Sequence, residues 1–256
     1  MKIASWNVNS IKVRLPQVTS WLREHAPDVL TLQETKTPDE QFPATALGEV
    51  GYYTRCSGQK TYNGVAVAAR NEPSEPVTEI PGFSDAQRRV LACTVNGVRI
   101  INLYVPNGQE VGSDKFEYKL QWLRAVSDWI ADELQRHSRL AVVGDFNIAP
   151  TAADVHDPDE WEGKVLFSEH ERQALGRLLE CGLVDTFRLF EQPEGVYSWW
   201  DYRMNSFQRN RGLRIDLILA SPELARYCRS STVDSEPRRW ERPSDHAPVV
   251  AEFALP

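Results

Sequence analysis

The chain lacks the features needed to cross a membrane, to bind zinc through thiolates or to coat itself with nucleic acid. No uninterrupted apolar run approaches the roughly 18–20 residues of a membrane span. The N-terminal Met-Lys-Ile-Ala-Ser-Trp-Asn reaches polar residues by Ser5 and holds no signal-peptide apolar region, so a cytoplasmic protein is expected. The four cysteines, Cys56, Cys93, Cys181 and Cys228, form no Cys-x-x-Cys pair. A zinc knuckle or redox dithiol is therefore unsupported, and the thiols are expected to be reduced and partly buried. Positive charge is also short: 29 Lys and Arg face 36 Asp and Glu, giving a net charge of −7. That balance argues against general affinity for polyanions and suggests a soluble monomer. With no low-complexity linker and no short repeat, one domain over 1–256 is expected.

Apolar and aromatic material is plentiful. Eight Trp, eight Tyr and nine Phe in 256 residues can bury enough surface to offset chain entropy. Apolar, β-rich runs at Lys2–Val8, Val29–Gln33, Val65–Ala69, Val90–Val95, Val98–Val105, Leu140–Gly144, Arg214–Ala220 and Val249–Phe253 predict strands. Asn96-Gly97 predicts a tight hairpin, because a type I′ turn needs positive φ at both central residues. Helical spacing covers Leu15–Leu22, Phe116–Leu134 and Glu169–Glu180. Helices separate some strands but not all, which favours helix-covered mixed sheets in an α/β fold over a purely parallel sheet.

Charge is unevenly spread. Asp145–Arg172 carries eight acids and two bases, whereas Ser198–Arg214 sets Arg203, Arg209, Arg211 and Arg214 against Asp201 alone. The second segment interleaves those arginines with Trp199, Trp200, Tyr202 and Phe207, a mixture suited to stacking on bases while contacting phosphate. An acidic protein can hold a polyanion where its bases cluster and a metal adds positive charge.

The most informative pattern lies at the ends of the apolar runs. Val29–Gln33 leads into Glu34, and Leu140–Gly144 leads into Asp145 with Asn147 two residues on. Asp216 lies within a predicted strand, Ser244-Asp245-His246 precedes the last one, Asn7 interrupts the first, and Tyr104 and Asn107 end the hairpin. Any one of these is explained by a turn, a cap or a satisfied core group. Together they place acids, amides and one histidine where strand ends can converge on one rim. Hard oxygen donors without a Cys or His cluster favour Mg²⁺ or Mn²⁺ over zinc. Metal-assisted attack on phosphate needs this mixture of groups.

The chain resembles the exodeoxyribonuclease III and abasic-site endonuclease family, within the wider endonuclease/exonuclease/phosphatase superfamily. The resemblance is carried in order along the chain by Ser5–Ser10, Leu32–Lys36, Gly58–Lys60, Asn63–Ala66, Ala86–Arg89, Tyr104–Gly108, Gly144–Pro150, Gly182–Arg188, Trp200–Arg203, Arg211–Asp216 and Ser244–Pro248. It implies a four-layer α/β sandwich, two central mixed sheets flanked by helices. It also implies a Mg²⁺-dependent (or Mn²⁺-dependent) phosphodiesterase of DNA repair acting on double-stranded DNA.

By that resemblance Glu34 is the direct metal ligand, with Asn7, Asn9 and Asp245 around it. Asp216 orients His246, Asp145 and Asn147 position the attacking water, and Tyr104 and Asn107 hold the scissile phosphate or its leaving side. Trp199 and Leu213 would wall a pocket for a flipped abasic sugar. Lys60, Arg88, Lys119, Arg203 and Arg211 are the expected contacts to DNA. The residues do not choose between Asp145 and His246 as base, nor between one metal ion and two. Incision at abasic sites and removal of 3′ termini both use this chemistry, and both are expected. The loop Trp161–Ser168, with bulky Leu166, is where access to the pocket would be set.

Overall fold

A computed structural model describes residues 1–256 and places twelve strands in two six-stranded sheets. The strands are β1 (Lys2–Asn7), β2 (Val29–Gln33), β3 (Tyr53–Ser57), β4 (Val65–Ala69), β5 (Ser74–Val77) and β6 (Val90–Val95). They continue with β7 (Val98–Tyr104), β8 (Leu140–Asp145), β9 (Val184–Asp185), β10 (Asp216–Ala220), β11 (Cys228–Val233) and β12 (Val249–Phe253). One sheet has the order β11-β12-β1-β2-β4-β3, the other β5-β6-β7-β8-β10-β9. Each is mixed: β1 with β2 and β7 with β8 are parallel, and the remaining pairs are antiparallel.

The two-residue alternation of strands explains the layering. Ile3, Val29, Val65 and Val67 of one sheet meet Cys93, Ile100, Ala141, Val143 and Ile218 of the other in a shared core between the sheets. The opposite face of the first sheet, with Trp6, Leu30 and Leu32, packs on Val18, Trp21 and Leu22 of helix Ile11–His25. The opposite face of the second, with Ile101, Leu103 and Val142, packs on helices Asp114–Arg136 and Glu169–Glu180 through Trp122, Leu123, Val126, Leu175 and Leu178. Helix, sheet, sheet and helix make the four layers that the resemblance implies.

The expected hairpin forms: Val95 pairs with Val98, and Asn96 and Gly97 have φ of 49° and 74°. Four strands, β3, β5, β9 and β11, are not evident from apolar patterning. The helix expected over Leu15–Leu22 runs from Ile11 to His25 and contains Pro16.

Candidate active site

The space between the sheets grades from apolar to polar along the strands. Residues of one parity line it, and near one end they turn polar: Ser5 and Asn7 on β1, Thr31 and Gln33 on β2, Asn102 and Tyr104 on β7, Asp145 on β8 and Asp216 on β10. Asn7, Gln33, Asn102, Asp145 and Asp216 are buried. Gln33 Nε2 donates to Asn102 Oδ1 at 2.7 Å, and Asn102 Nδ2 donates to the carbonyls of Leu32 and Ala66, which pins the sheets together beneath this rim.

Register brings the acids together. Tyr104 and Asp216 both pair with Asp145, from opposite sides. Glu34 follows β2 at a φ of 51°. Asn7 Nδ2 donates to Glu34 Oε1 and to Asp145 Oδ2, each at 2.9 Å, and so spans the two sheets. The Asn147 backbone N–H donates to Asp145 Oδ1 at 2.9 Å. Asn147, itself at φ 49°, donates from its amide to the Val105 carbonyl and accepts from Asn107 Nδ2. Non-glycine residues at positive φ are uncommon, and Asn9, Ser10, Glu34, Lys36 and Asn147 all adopt it here.

His246 is buried, with Nδ1 2.8 Å from Asp216 Oδ2 and Nε2 3.8 Å from Asp145 Oδ2. Burial alone would lower its pKa, but Asp216 and then Asp145 outweigh that and raise it to about 10. Burial raises the Asp145 carboxyl to about 7, with His246 opposing and Asp216 adding. Burial, reinforced by Glu34, keeps the Tyr104 phenol protonated well above its ordinary range. The Arg89 guanidinium lies over that ring, 4.6 Å from its centre. Asp245 stays ionised despite burial, held by His246 and by hydrogen bonds from Trp199 Nε1 and Asn9 Nδ2, each at 3.0 Å.

Ligating atoms of Glu34, Asp145 and His246 lie within 4.8 Å of one another. With His246 protonated, the available donors are carboxylate oxygens, which suit a hard divalent cation. Lys36 Nζ lies 2.9 Å from Glu34 Oε2 and donates to Asn9 Oδ1, so this corner already attracts positive charge. Asn7 meets both carboxylates through its amide nitrogen, while its oxygen accepts from the Asn9 N–H. Asp245 sits one step out, reached through Asn9.

The flanking residues divide. Lys60 and Arg203 are exposed, Arg88 pairs with Glu79 at 3.2 Å, and Arg211 pairs with Glu160 at 2.7 Å. Lys119 is not a DNA contact. It is fully buried on the inner face of helix Asp114–Arg136, bonded to Glu171 and to the carbonyls of Asn107 and Asn147. Arg214, counted in the basic segment, is also internal and is neutralised by Asp154 and Asp185. Trp199 and Leu213 pair through their backbones, but Leu213 is wholly covered and opens onto no free space. Ala149, Val155, Leu166, Phe167 and Ile215 close around it, with Trp161 and Trp199 packed against them.

Several supports of the site were not singled out by sequence reasoning. Ser198 Oγ accepts from the N–H groups of Ile215 and Asp216, Ser244 Oγ donates to the Asn7 carbonyl, and Lys36 and Arg89 touch Glu34 and Tyr104. Lys36 and Arg89 lie inside the motifs Leu32–Lys36 and Ala86–Arg89, and Gln33 immediately precedes Glu34; only the fold shows what they touch.

A 3′ phosphatase from Neisseria, solved with a product DNA hairpin, superposes with a TM-score of 0.98 at 49% identity, covering 100% of both chains. An AP endonuclease from Archaeoglobus fulgidus superposes with a TM-score of 0.96 at 39% identity, again covering 100% of both. The exodeoxyribonuclease III of Haemophilus influenzae is 35% identical over 266 residues, spanning 99% of this chain and 100% of that protein. The model of the endonuclease/exonuclease/phosphatase family matches residues 4–246, the stretch that contains every residue of the rim, and to that family the chain belongs.

Proposed function

We propose that this protein is a Mg²⁺-dependent DNA phosphodiesterase of the exodeoxyribonuclease III type, a DNA-repair enzyme acting on 3′ termini and abasic sites of double-stranded DNA. The observation that carries the reading is the convergence of Glu34, Asp145 and His246, with Asp216 bonded behind the histidine. The similar proteins support DNA as the substrate through their names and the bound hairpin. The chain would work as a monomer and as one domain. Four free thiols and bacterial relatives fit the cytoplasm, and no helix is long and apolar enough to cross a membrane.

Glu34 is the proposed ligand, with Asp145 beside it and Asn7, Asn9 and Asp245 holding the surrounding network. When bound, Mg²⁺, as one ion or two, neutralises phosphate charge and stabilises the departing 3′-oxygen. Asp145, with its carboxyl raised to about 7, is poised near neutrality to accept the proton of the attacking water. Asn147 fixes Asp145 through its N–H, and its amide nitrogen, which spends one donor on the Val105 carbonyl, has a second to offer. His246, kept cationic by Asp216, donates from Nε2 to a non-bridging phosphate oxygen and does not serve as base. Tyr104 and Asn107 would donate to the phosphate, Tyr104 as a neutral phenol.

One observation favours 3′-end processing over abasic incision. The expected sugar pocket is filled by Leu166 and its neighbours, with Trp161 edge-on to Trp199 at 6.4 Å. The test uses two end-labelled duplexes, one with a central abasic analogue and one with a recessed 3′ end, each with Mg²⁺ and with EDTA. Metal-dependent shortening from the 3′ end, with slower internal cutting, is expected. Intact DNA in every lane would overturn the reading.

A further inference from the structure

Lys119 and Glu171 form an ion pair with neither side chain exposed to solvent. Removing two charges from water is costly, and such a pair persists only when its remaining hydrogen-bonding capacity is used. Here that capacity is used in a specific way. The ammonium has three donors and three acceptors: the Glu171 carboxylate, the Asn107 carbonyl at 3.0 Å and the Asn147 carbonyl at 2.7 Å.

Glu171 in turn accepts from the Leu166 N–H and the Ser168 N–H, both at 3.0 Å, and from the Ser168 hydroxyl. The Leu166 carbonyl accepts from the Ala149 N–H at 2.8 Å, which closes the circuit back to the Asn147 turn. Two members of this circuit are held at positive φ, Asn147 at 49° and Leu166 at 78°. The third turn packs on the lysine stem, since a Cβ on Gly108 would come within 3.1 Å of Lys119 Cδ.

We infer that the Lys119–Glu171 pair is a positioning strut that sets the Asn107–Asn147 turns and the Leu166 turn as one unit. The strut touches neither phosphate nor sugar. It couples the phosphate side of the site to the shape of the apolar pocket, and through that coupling it governs the preference between 3′ ends and abasic sites.

The test compares Lys119→Met, Glu171→Gln and the doubly apolar Lys119→Met/Glu171→Leu with the unaltered protein. Thermal melting sorts out folding, and the double variant guards against the instability of a lone buried charge. On DNA with Mg²⁺, both single variants are expected to lose about tenfold or more in kcat, with KM nearly unchanged, because turns are misplaced rather than contacts removed. The ratio of abasic incision to 3′ removal should rise several-fold. The double variant should regain its melting temperature but not its kcat, since methionine offers the two carbonyls no donor.

The rate measurements presuppose the DNA phosphodiesterase reading. Amide hydrogen exchange does not, and it is followed in residues 145–149 and 164–169 of the same variants. Faster exchange in both segments together supports the strut; faster exchange in only one overturns it, as does recovery of kcat along with melting temperature in the double variant. An unaltered protein that cuts neither duplex would instead remove the functional reading, leaving exchange to decide the strut.

Discussion

His246 Nδ1 lies 2.8 Å from Asp216 Oδ2, and the pair is buried between the two sheets. In an apolar setting an imidazole would shed its proton. Asp216, with Asp145 on the far side of the ring, reverses that and raises the pKa to about 10. The relationship supports the role proposed for the ring: a group protonated at neutral pH is suited to donate a hydrogen bond rather than to accept the proton of water.

These two titrations shape the expected pH profile. Asp145 must be ionised to act as base, so kcat/KM should rise as pH climbs through about 7. His246 must be protonated, so the rate should fall again toward about 10. Asp216→Asn removes the principal charge that raises His246, and the alkaline limb should move to lower pH while the acid limb moves less. A limb that stays in place would show that His246 is not the titrating donor. The linkage to stability has a definite sign. A raised histidine stabilises fully below its unfolded value near 6.5, and that contribution is lost as pH rises through about 10. Melting temperatures across that window should fall more steeply in the unaltered protein than in Asp216→Asn.

Asp145→Asn keeps the side-chain size and retains an oxygen to accept the Asn147 N–H. It removes the proposed proton acceptor. Single-turnover cleavage should fall by about 10²–10⁴-fold, the range for loss of a general base. DNA affinity, followed by fluorescence anisotropy, should stay within a few-fold. Equal losses in affinity and turnover would assign Asp145 to binding.

Glu34→Gln leaves a neutral amide beside Asn7 and Lys36. The Mg²⁺ concentration for half-maximal activity should rise by about an order of magnitude or more, and calorimetric Mg²⁺ affinity should drop in parallel. An unchanged titration would take Glu34 out of direct contact with the ion.

The strands that build the site are readable because they are buried on both faces and rich in Val and Leu, as β2 and β8 are. The strands that escape such a reading lack that pattern. β5 is Ser-Glu-Pro-Val at a sheet edge, β11 is Cys-Arg-Ser-Ser-Thr-Val, and β9 has two residues. Acids at strand ends can be picked out in the sequence, but their convergence depends on register. The Tyr104–Asp145–Asp216 row belongs to three strands far apart in the chain. Lys119 was misplaced although a signal existed. It lies three residues after Phe116 and four before Leu123, on the apolar stripe, where an unpaired lysine would not be tolerated. Its partner Glu171 lies on another helix, 52 residues away, and only the fold pairs them.

Leu166 gives the most direct test of substrate choice. Its φ of 78° is strained for a branched side chain, and the residue is buried against Leu213 and its neighbours, at the expected sugar pocket. Leu166→Gly removes the side chain and suits that backbone, so about 1 kcal/mol of relieved strain offsets part of the roughly 2–5 kcal/mol cost of emptying an apolar site. The vacated volume lies beside Trp199, whose indole N–H is anchored to Asp245 and therefore keeps its place. Abasic incision should rise relative to 3′ removal by roughly tenfold, the scale at which apolar pockets discriminate by size. The comparison is internal, because on the proposed mechanism both reactions use the same Glu34, Asp145 and His246, and a general loss of activity cancels in the ratio. A ratio that does not move in a folded Leu166→Gly protein would show that the closed pocket does not limit abasic incision.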